Sequence, residues 1–388
     1  MRYAILLAAV LMQMCLGATY SWSVFVQPLK ALTGLQQGPV QIPFTVFYFV
    51  FPLTMMLVGT LLPRIVPRVG AIIGGLCFGG GWLVASLGAQ SFVFTILGIG
   101  LFAGIGAGFA YIVPITVCIR WFPQSKGLVT GIAVAGFGGG AALVSKIGGW
   151  LMVGIGRTPF EVFSIFGLLF LITVVSAGAI MHFPQPQTDT PTSPKKTTGI
   201  LTHPGFHLLY CAMFLGLAAG FAVNANLKEL YRGTGNAAEI GITAVSLFAL
   251  ANATGRVVWG LIFDRVQSAT AVQANLVFQA LVLLAAPAML TSAWGFWAVA
   301  LLTGFNYGGV LVIYVSSTSR HWGTGRVGQI YSWLFSSNIP ASLSPIIAGM
   351  IFDTFHTFTP ALSGLAALLI LYAFIMYRCR TVVNGREE

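Results

Sequence analysis

The sequence predicts an all-α membrane protein of twelve transmembrane helices in two six-helix bundles, and three observations carry that prediction. Of its 388 residues, 57% are apolar and only 7% charged, whereas a soluble chain carries about 25% charged residues. Twelve stretches come near the roughly 20 apolar residues needed to cross a bilayer. A polar interruption, HFPQPQTDTPTSPKKTTGILTHP over residues 182–204, separates the first six from the last six. A segment so rich in Pro, Thr and Lys builds no core and reads as a cytoplasmic linker.

In chain order the spans are 4–30, 38–62, 70–89, 92–118, 127–152, 158–181, 205–230, 238–263, 270–289, 293–319, 327–352 and 358–378. The expected organisation is an N-terminal bundle over 1–181, the linker over 182–204, and a C-terminal bundle with a short cytoplasmic tail over 205–388. Met1-Arg2 before an apolar run resembles a signal peptide, but the run is too long and lacks a cleavage site, so it is read as the first span. Gly98, Gly100, Gly104, Gly106 and Gly108 in the fourth span, and Gly136, Gly138, Gly139 and Gly140 in the fifth, resemble small-residue faces that let helices approach closely. They lack the strand-turn-helix context of a dinucleotide fingerprint, and no cofactor is expected.

The formal charge of +11 does not point to nucleic acid, because its distribution is one-sided. The inner loops and tails hold Arg2, Arg64, Arg68, Arg120, Lys126, Lys195, Lys196, Arg265, Arg320, Arg326, Arg378, Arg380 and Arg386. The outer side holds Lys30, Lys146, Arg157, Lys228 and Arg232. This asymmetry places both termini in the cytoplasm, with the lipid bilayer as the main partner. Oligomeric state is not encoded in any of these patterns. The five cysteines are scattered without CxxC spacing, and all five histidines fall in loops or at helix ends, which argues against a disulfide framework or a metal site.

Arg256 completes the count of basic residues, and it lies inside the eighth span. Uncharged residues surround it from Ile240 to Phe263, and the helical rise places it about 12 Å from the polar end at Asp264 and Arg265. An ionised side chain at that depth costs at least a few kcal/mol, and is tolerated mainly where it faces a bundle interior or watery cavity and meets an anion. No acidic residue in the apolar segments offers itself as the partner, so the anion is expected to be the substrate. The alternative is an arginine that snorkels to the interface or is satisfied by backbone carbonyls. Asn252, one turn earlier, shares its helix face and adds an amide beside the guanidinium fork.

The halves echo one another at an offset of about 200. The second span ends Gly59-Thr-Leu-Leu-Pro63-Arg64 and the eighth Gly260-Leu-Ile-Phe-Asp264-Arg265; the fourth ends at Arg120 before Lys126 and Gly127, the tenth at Arg320 before Arg326 and Gly328. Matching helix ends at one offset indicate a duplicated six-helix unit. Two such halves, a cytoplasmic linker and the G-x-x-x-D-R turn resemble the major facilitator superfamily over the whole chain. That resemblance implies a substrate site between the halves, worked by alternating access, with Arg64, Arg68, Asp264, Arg265 and Arg320 as gating charges. Pro63 stands where the superfamily commonly has Asp.

Residues 120–136, RWFPQSKGLVTGIAVAG, resemble the monocarboxylate transporter signature. GATYSWSVFVQP over 17–28 and the N-x-x-x-R-x-x-W-G run from Asn252 are similar to the oxalate:formate antiporter branch. The resemblance implies that Tyr20, Tyr111, Phe137, Tyr307 and Trp333 line a cavity with Arg256 and Asn252. Proton-coupled members carry Asp at the position of Asn252. The oxalate branch pairs its arginine with a lysine in the eleventh span, and that position falls on Ser336. One cation in place of two suits one carboxylate, with Lys146 as the rival second cation. The expected function is secondary transport of a small monocarboxylate of the lactate or pyruvate kind, with proton symport as the family's usual arrangement. The alternative is anion exchange of the oxalate:formate type. An integral membrane enzyme is the remote reading, since no interfacial nucleophile, acid/base or metal-ligand cluster is present. Compactness and the oxalate-branch resemblance suggest a bacterial inner membrane.

Overall fold

A computed structural model describes residues 1–35, 37–61, 65–184, 198–231 and 237–385. Every regular element among them is helical, and eleven helices are long and apolar enough to cross a membrane. The expected eleventh span departs from a single helix. It is divided into Val327–Phe335, Asn338–Ala341 and Ser344–Phe355. Pro340 and Pro345 account for this, because each lacks the N–H that would bond four residues back. The Ser336 carbonyl accepts instead from Ile339 N at 2.9 Å, and the chain turns before the helix resumes.

The first span also changes pitch. It runs as an α-helix over Arg2–Leu16, tightens to a 3₁₀ turn over Gly17–Ser21 and resumes over Ser23–Thr33. Gly34 ends it at φ 69°, a left-handed conformation suited to glycine. Proline opens the third, sixth and seventh spans, where its missing N–H costs nothing. The sixth adds a capping box between Thr158 and Glu161, reinforced by a 2.9 Å ion pair from Arg157 to Glu161.

The chain forms two compact units. Unit 1 comprises Met1–Pro123, Ile132–Pro191 and Gly325–Phe335; unit 2 comprises Gln124–Gly131, Thr192–Thr324 and Ser336–Glu388. Each therefore takes a short segment from the other half of the sequence. In unit 1, a Cβ on Gly59 would run into Ser332 and lie 2.7 Å from the Gly328 carbonyl. In unit 2, a Cβ on Gly260 would run into the Gly127 carbonyl. The two contacts are related by the sequence offset of the repeat, and both work because glycine lets backbone meet backbone.

Unit 1 is centred on Trp82, whose ring lies 5.2–6.3 Å from those of Phe25, Phe163, Phe166 and Phe170. The third and sixth spans approach so closely that a Cβ on Gly79 would sit 2.5 Å from Leu171 N and Cα. The neighbouring Gly80 faces open space. Unit 2 is built on the eighth span, Ala237–Arg265, against the tenth, Ala293–Trp322. There Cβ atoms on Gly255 and Gly304 would run into the carbonyls of Phe305 and Phe248.

These contacts predict opposite outcomes at adjacent residues. Gly79→Ala forces backbone apart and is expected to cost about 1–3 kcal/mol, whereas Gly80→Ala is expected to be neutral or to stabilise by up to about 1 kcal/mol through helix propensity. Thermal unfolding in detergent compares the two; equal melting temperatures would show that the crossing yields freely.

Candidate functional site

In unit 2 the side chain of Arg256 is completely buried, with 0% of its surface exposed. Asn252, one turn before it, is also buried. Their helix is held against the tenth span by Gly308, on which a Cβ would run into the Asn252 carbonyl and lie 3.1 Å from Arg256 N. From the other side, a Cβ on Gly131 would run into the Arg256 carbonyl. Bare backbone on two sides thus fixes where the guanidinium stem leaves the helix. Tyr307 is buried beside this crossing, its ring 6.1 Å from Phe248 and 5.8 Å from Phe221. Unit 2 therefore gathers Asn252, Arg256 and Tyr307 around one crossing, offering a buried cation, a carboxamide and an aromatic hydroxyl. Ser336 is half-buried and lies where the broken span meets the seventh, its Oγ 3.5 Å from the Tyr210 hydroxyl.

In unit 1 the aromatic candidates form a connected series. Tyr20 packs edge-on against Phe137 at 4.9 Å, and Phe137 against Tyr111 at 5.9 Å. Tyr48 stacks on Tyr20 at 5.7 Å, while Phe51 and Phe335 each lie within 5.4 Å of Tyr111. Tyr20 is 36% exposed, unlike the buried Tyr111 and Phe137. Trp333 is half-buried in the Gly325–Phe335 segment. Lys146 is exposed near the end of the fifth span.

Sequence reasoning missed Tyr48, Phe51, Phe335 and Gln13. The last was the most legible, an amide inside an apolar span. Gln13 is fully buried and its Nε2 donates to the Tyr111 carbonyl at 3.0 Å. That carbonyl adjoins the one on Ala110 that Pro114 cannot bond, so the amide supports a helix loosened by proline.

Among the expected gating residues, Arg64 lies outside the described residues. Arg68 and Arg265 are exposed. The Asp264 carboxylate accepts from Gly127 N at 2.8 Å and Leu128 N at 2.9 Å, capping the helix Lys126–Gly149 at its positive end. Arg320 donates to the Phe263 carbonyl at 2.8 Å and to that of Val266, with its guanidinium 4.0 Å above the Phe263 ring. The end of the eighth span is thus held by an acid reaching one helix start and a base satisfying its own last carbonyls. In unit 1, Arg120 stacks on Phe183 at 3.7 Å and Trp121 Nε1 donates to the His182 carbonyl at 2.8 Å. No group of three or more His, Cys, Asp or Glu suited to a metal ion occurs among the described residues.

Residues 6–345 match the family model described as Major Facilitator Superfamily. The oxalate:formate antiporter of Oxalobacter formigenes is 27% identical over 88% of this chain and 82% of its own. The apicoplast pyruvate carrier 1 of Toxoplasma gondii is 22% identical over 66% of this chain and 58% of its own. Among solved structures, FucP in an outward conformation superposes with a TM-score of 0.76 at 14% identity, covering 97% of this chain and 98% of its own.

The Asp264 cap carries a direct prediction. Asp264→Ala leaves two helix-start N–H groups without their acceptor and is expected to cost about 1–3 kcal/mol, with Asp264→Asn milder because it keeps an acceptor oxygen. Thermal unfolding of both variants is the check, and an Asp264→Ala protein that melts with the wild type would remove the cap from the energetics.

Proposed function

Since the chain belongs to the Major Facilitator Superfamily and is an integral, multi-pass membrane protein, we propose that it is a secondary transporter of small monocarboxylates in which Arg256 receives the carboxylate. The observation that carries this reading is the complete burial of an arginine deep in an apolar helix, beside Asn252 and close to Tyr307. A guanidinium offers a planar fork matched to a carboxylate, and low dielectric strengthens that pairing. Two relatives are named for carboxylate transport, one for oxalate and formate and one for pyruvate. Ser336 stands at the position where the oxalate branch has its second cation, and the exposed Lys146 belongs to unit 1. Among the described residues Arg256 is the buried Lys or Arg side chain, and one such cation favours one carboxylate, because a second would be desolvated without compensation.

Tyr20, Tyr111, Phe137, Tyr307, Trp333 and Ser336 are the further substrate contacts of this proposal, and Arg64, Arg68, Asp264, Arg265 and Arg320 its gating charges. The charge asymmetry of the loops supports two cytoplasmic termini, and compactness with the oxalate-branch resemblance supports a bacterial inner membrane. Proton symport is the first coupling mode. Exchange is the second, favoured by Asn252, since a carboxamide carries no proton at a position where proton-coupled relatives place an acid.

The test is binding and thermal shift on purified protein with mono- and dicarboxylates of two to six carbons, with Arg256→Gln alongside. Monocarboxylates are expected to stabilise the wild type, and the variant to lose about 30-fold or more in affinity, the equivalent of the ~2 kcal/mol floor for breaking a buried charge pair. Preference for dicarboxylates would bring Lys146 into the site. Equal binding by the variant would make Arg256 structural and end the proposal. Counter-flow in proteoliposomes separates the coupling modes: symport requires acceleration by an imposed inward proton gradient, and exchange is indifferent to it.

A further inference from the structure

Three carboxamides are buried in unit 2, away from the residues assigned above. Asn275 and Gln279 belong to the ninth span, Ser268–Met289, and Asn306 to the tenth; none is more than 1% exposed. Asn275 Nδ2 donates to the Asn306 carbonyl at 3.0 Å and to its Oδ1 at 2.8 Å. Asn306 Nδ2 donates to the Asn275 carbonyl and to Gln279 Oε1, both at 3.0 Å. One residue of the tenth span is therefore held by four hydrogen bonds to the ninth, three of them through its side chain.

The opposite face of the tenth span bears Gly304 and Gly308, because residues two apart on a helix point about 200° from one another. That glycine face is the one against Phe248, Asn252 and Arg256. Glycine-lined crossings bring backbones into close contact but make no directional side-chain bond of their own. The tenth span thus meets the Arg256 helix through tight backbone contact on one face and carries a directional lock on the other.

The first half shows what this crossing looks like without the lock. At the repeat offset of about 200, Gly74, Phe78 and Gly106 stand where Asn275, Gln279 and Asn306 stand in the second half. There a Cβ on Gly106 would run into Phe78 N, and one on Gly74 would lie 2.7 Å from Ala110 N and Cβ, so the contact is made by backbone and a methyl group without any side-chain hydrogen bond between these positions. Arg256 likewise corresponds to the buried Met55. The lock and the arginine occur in the same half. Nor is the cluster arranged for stability alone: Asn275 Oδ1 and Gln279 Nε2 are buried without a hydrogen-bond partner, which carries a desolvation penalty.

We propose that Asn306 is a positioning residue for carboxylate binding: its lock on Asn275 and Gln279 fixes the register of the tenth span, and through Gly308 the placement of Asn252 and Arg256. This rests on the reading of Arg256 as the substrate's cation. The experiment compares wild type, Arg256→Gln, Asn306→Ala, Gln279→Leu and the Asn275→Ala/Asn306→Ala double variant. Pyruvate affinity, melting temperature without ligand, and amide hydrogen exchange over residues 248–260 are read on each.

Asn306→Ala is expected to weaken pyruvate binding by about 3- to 30-fold and to speed exchange around Arg256. The double variant removes both sides of the main pair, so it is expected to recover part of the melting temperature that Asn306→Ala loses while affinity stays low and exchange fast. Gln279→Leu withdraws one bond and should weaken binding less; it carries the same comparison if Asn306→Ala does not fold. Recovery of affinity and slow exchange together with melting temperature in the double variant would make the cluster structural glue and overturn the proposal. So would wild-type affinity and exchange in both Asn306→Ala and Gln279→Leu. If pyruvate binding is absent or indifferent to Arg256→Gln, the carboxylate reading fails by itself, and the exchange comparison still decides whether Asn306 holds the helix.

Discussion

A guanidinium buried in an apolar helix dictates how unit 2 is assembled. The charge is costly wherever it is not met by an oppositely charged or polar group, so the helix bearing it has little freedom to rotate or translate. Its neighbours supply that restraint with backbone: Gly308 and Gly131 bring bare chain against the turn containing Asn252 and Arg256. Larger residues there would displace the arginine stem along with the helix. Glycine at these crossings therefore serves the chemistry of the site as well as the density of packing.

The two units settle the same architectural problem with different materials. Apolar surface alone does not drive helices together in lipid, and their association relies on close contact and on hydrogen bonds. Unit 1 relies mainly on contact, with Gly79 against Leu171, Gly74 against Gly106, a nest of rings about Trp82 and the buried Gln13 amide bond described above. Unit 2 adds polar restraints: the carboxamides of Asn275, Gln279 and Asn306, the Asp264 cap and the Arg320 grip on the Phe263 and Val266 carbonyls.

The sequence made the spans legible because a bilayer imposes length and apolarity together, and it exposed Arg256 because a charge inside such a run stands out. Tyr20, Phe137 and Tyr111 were singled out only through family resemblance, since aromatic residues in a membrane chain carry no mark that separates a cavity wall from packing. The carboxamide cluster was hidden for another reason. Asn275 and Asn306 are 31 residues apart, and an uncharged amide barely disturbs a hydropathy profile. The division of the eleventh span had a visible signal in Pro340 and Pro345, but an apolar average over 327–352 smoothed it away.

That division also bears on how the protein's topology is counted. Among the described residues a tally of uninterrupted apolar helices reaches an odd number, and an odd number of crossings would leave the two chain ends on opposite faces of the bilayer. Counting Val327–Phe335 and Ser344–Phe355 as one interrupted span makes the number even, the parity that the proposed same-side termini require. On that count, a reporter between the eleventh and twelfth spans faces the side opposite the proposed cytoplasmic N-terminus, and only one placed after the twelfth span returns to it.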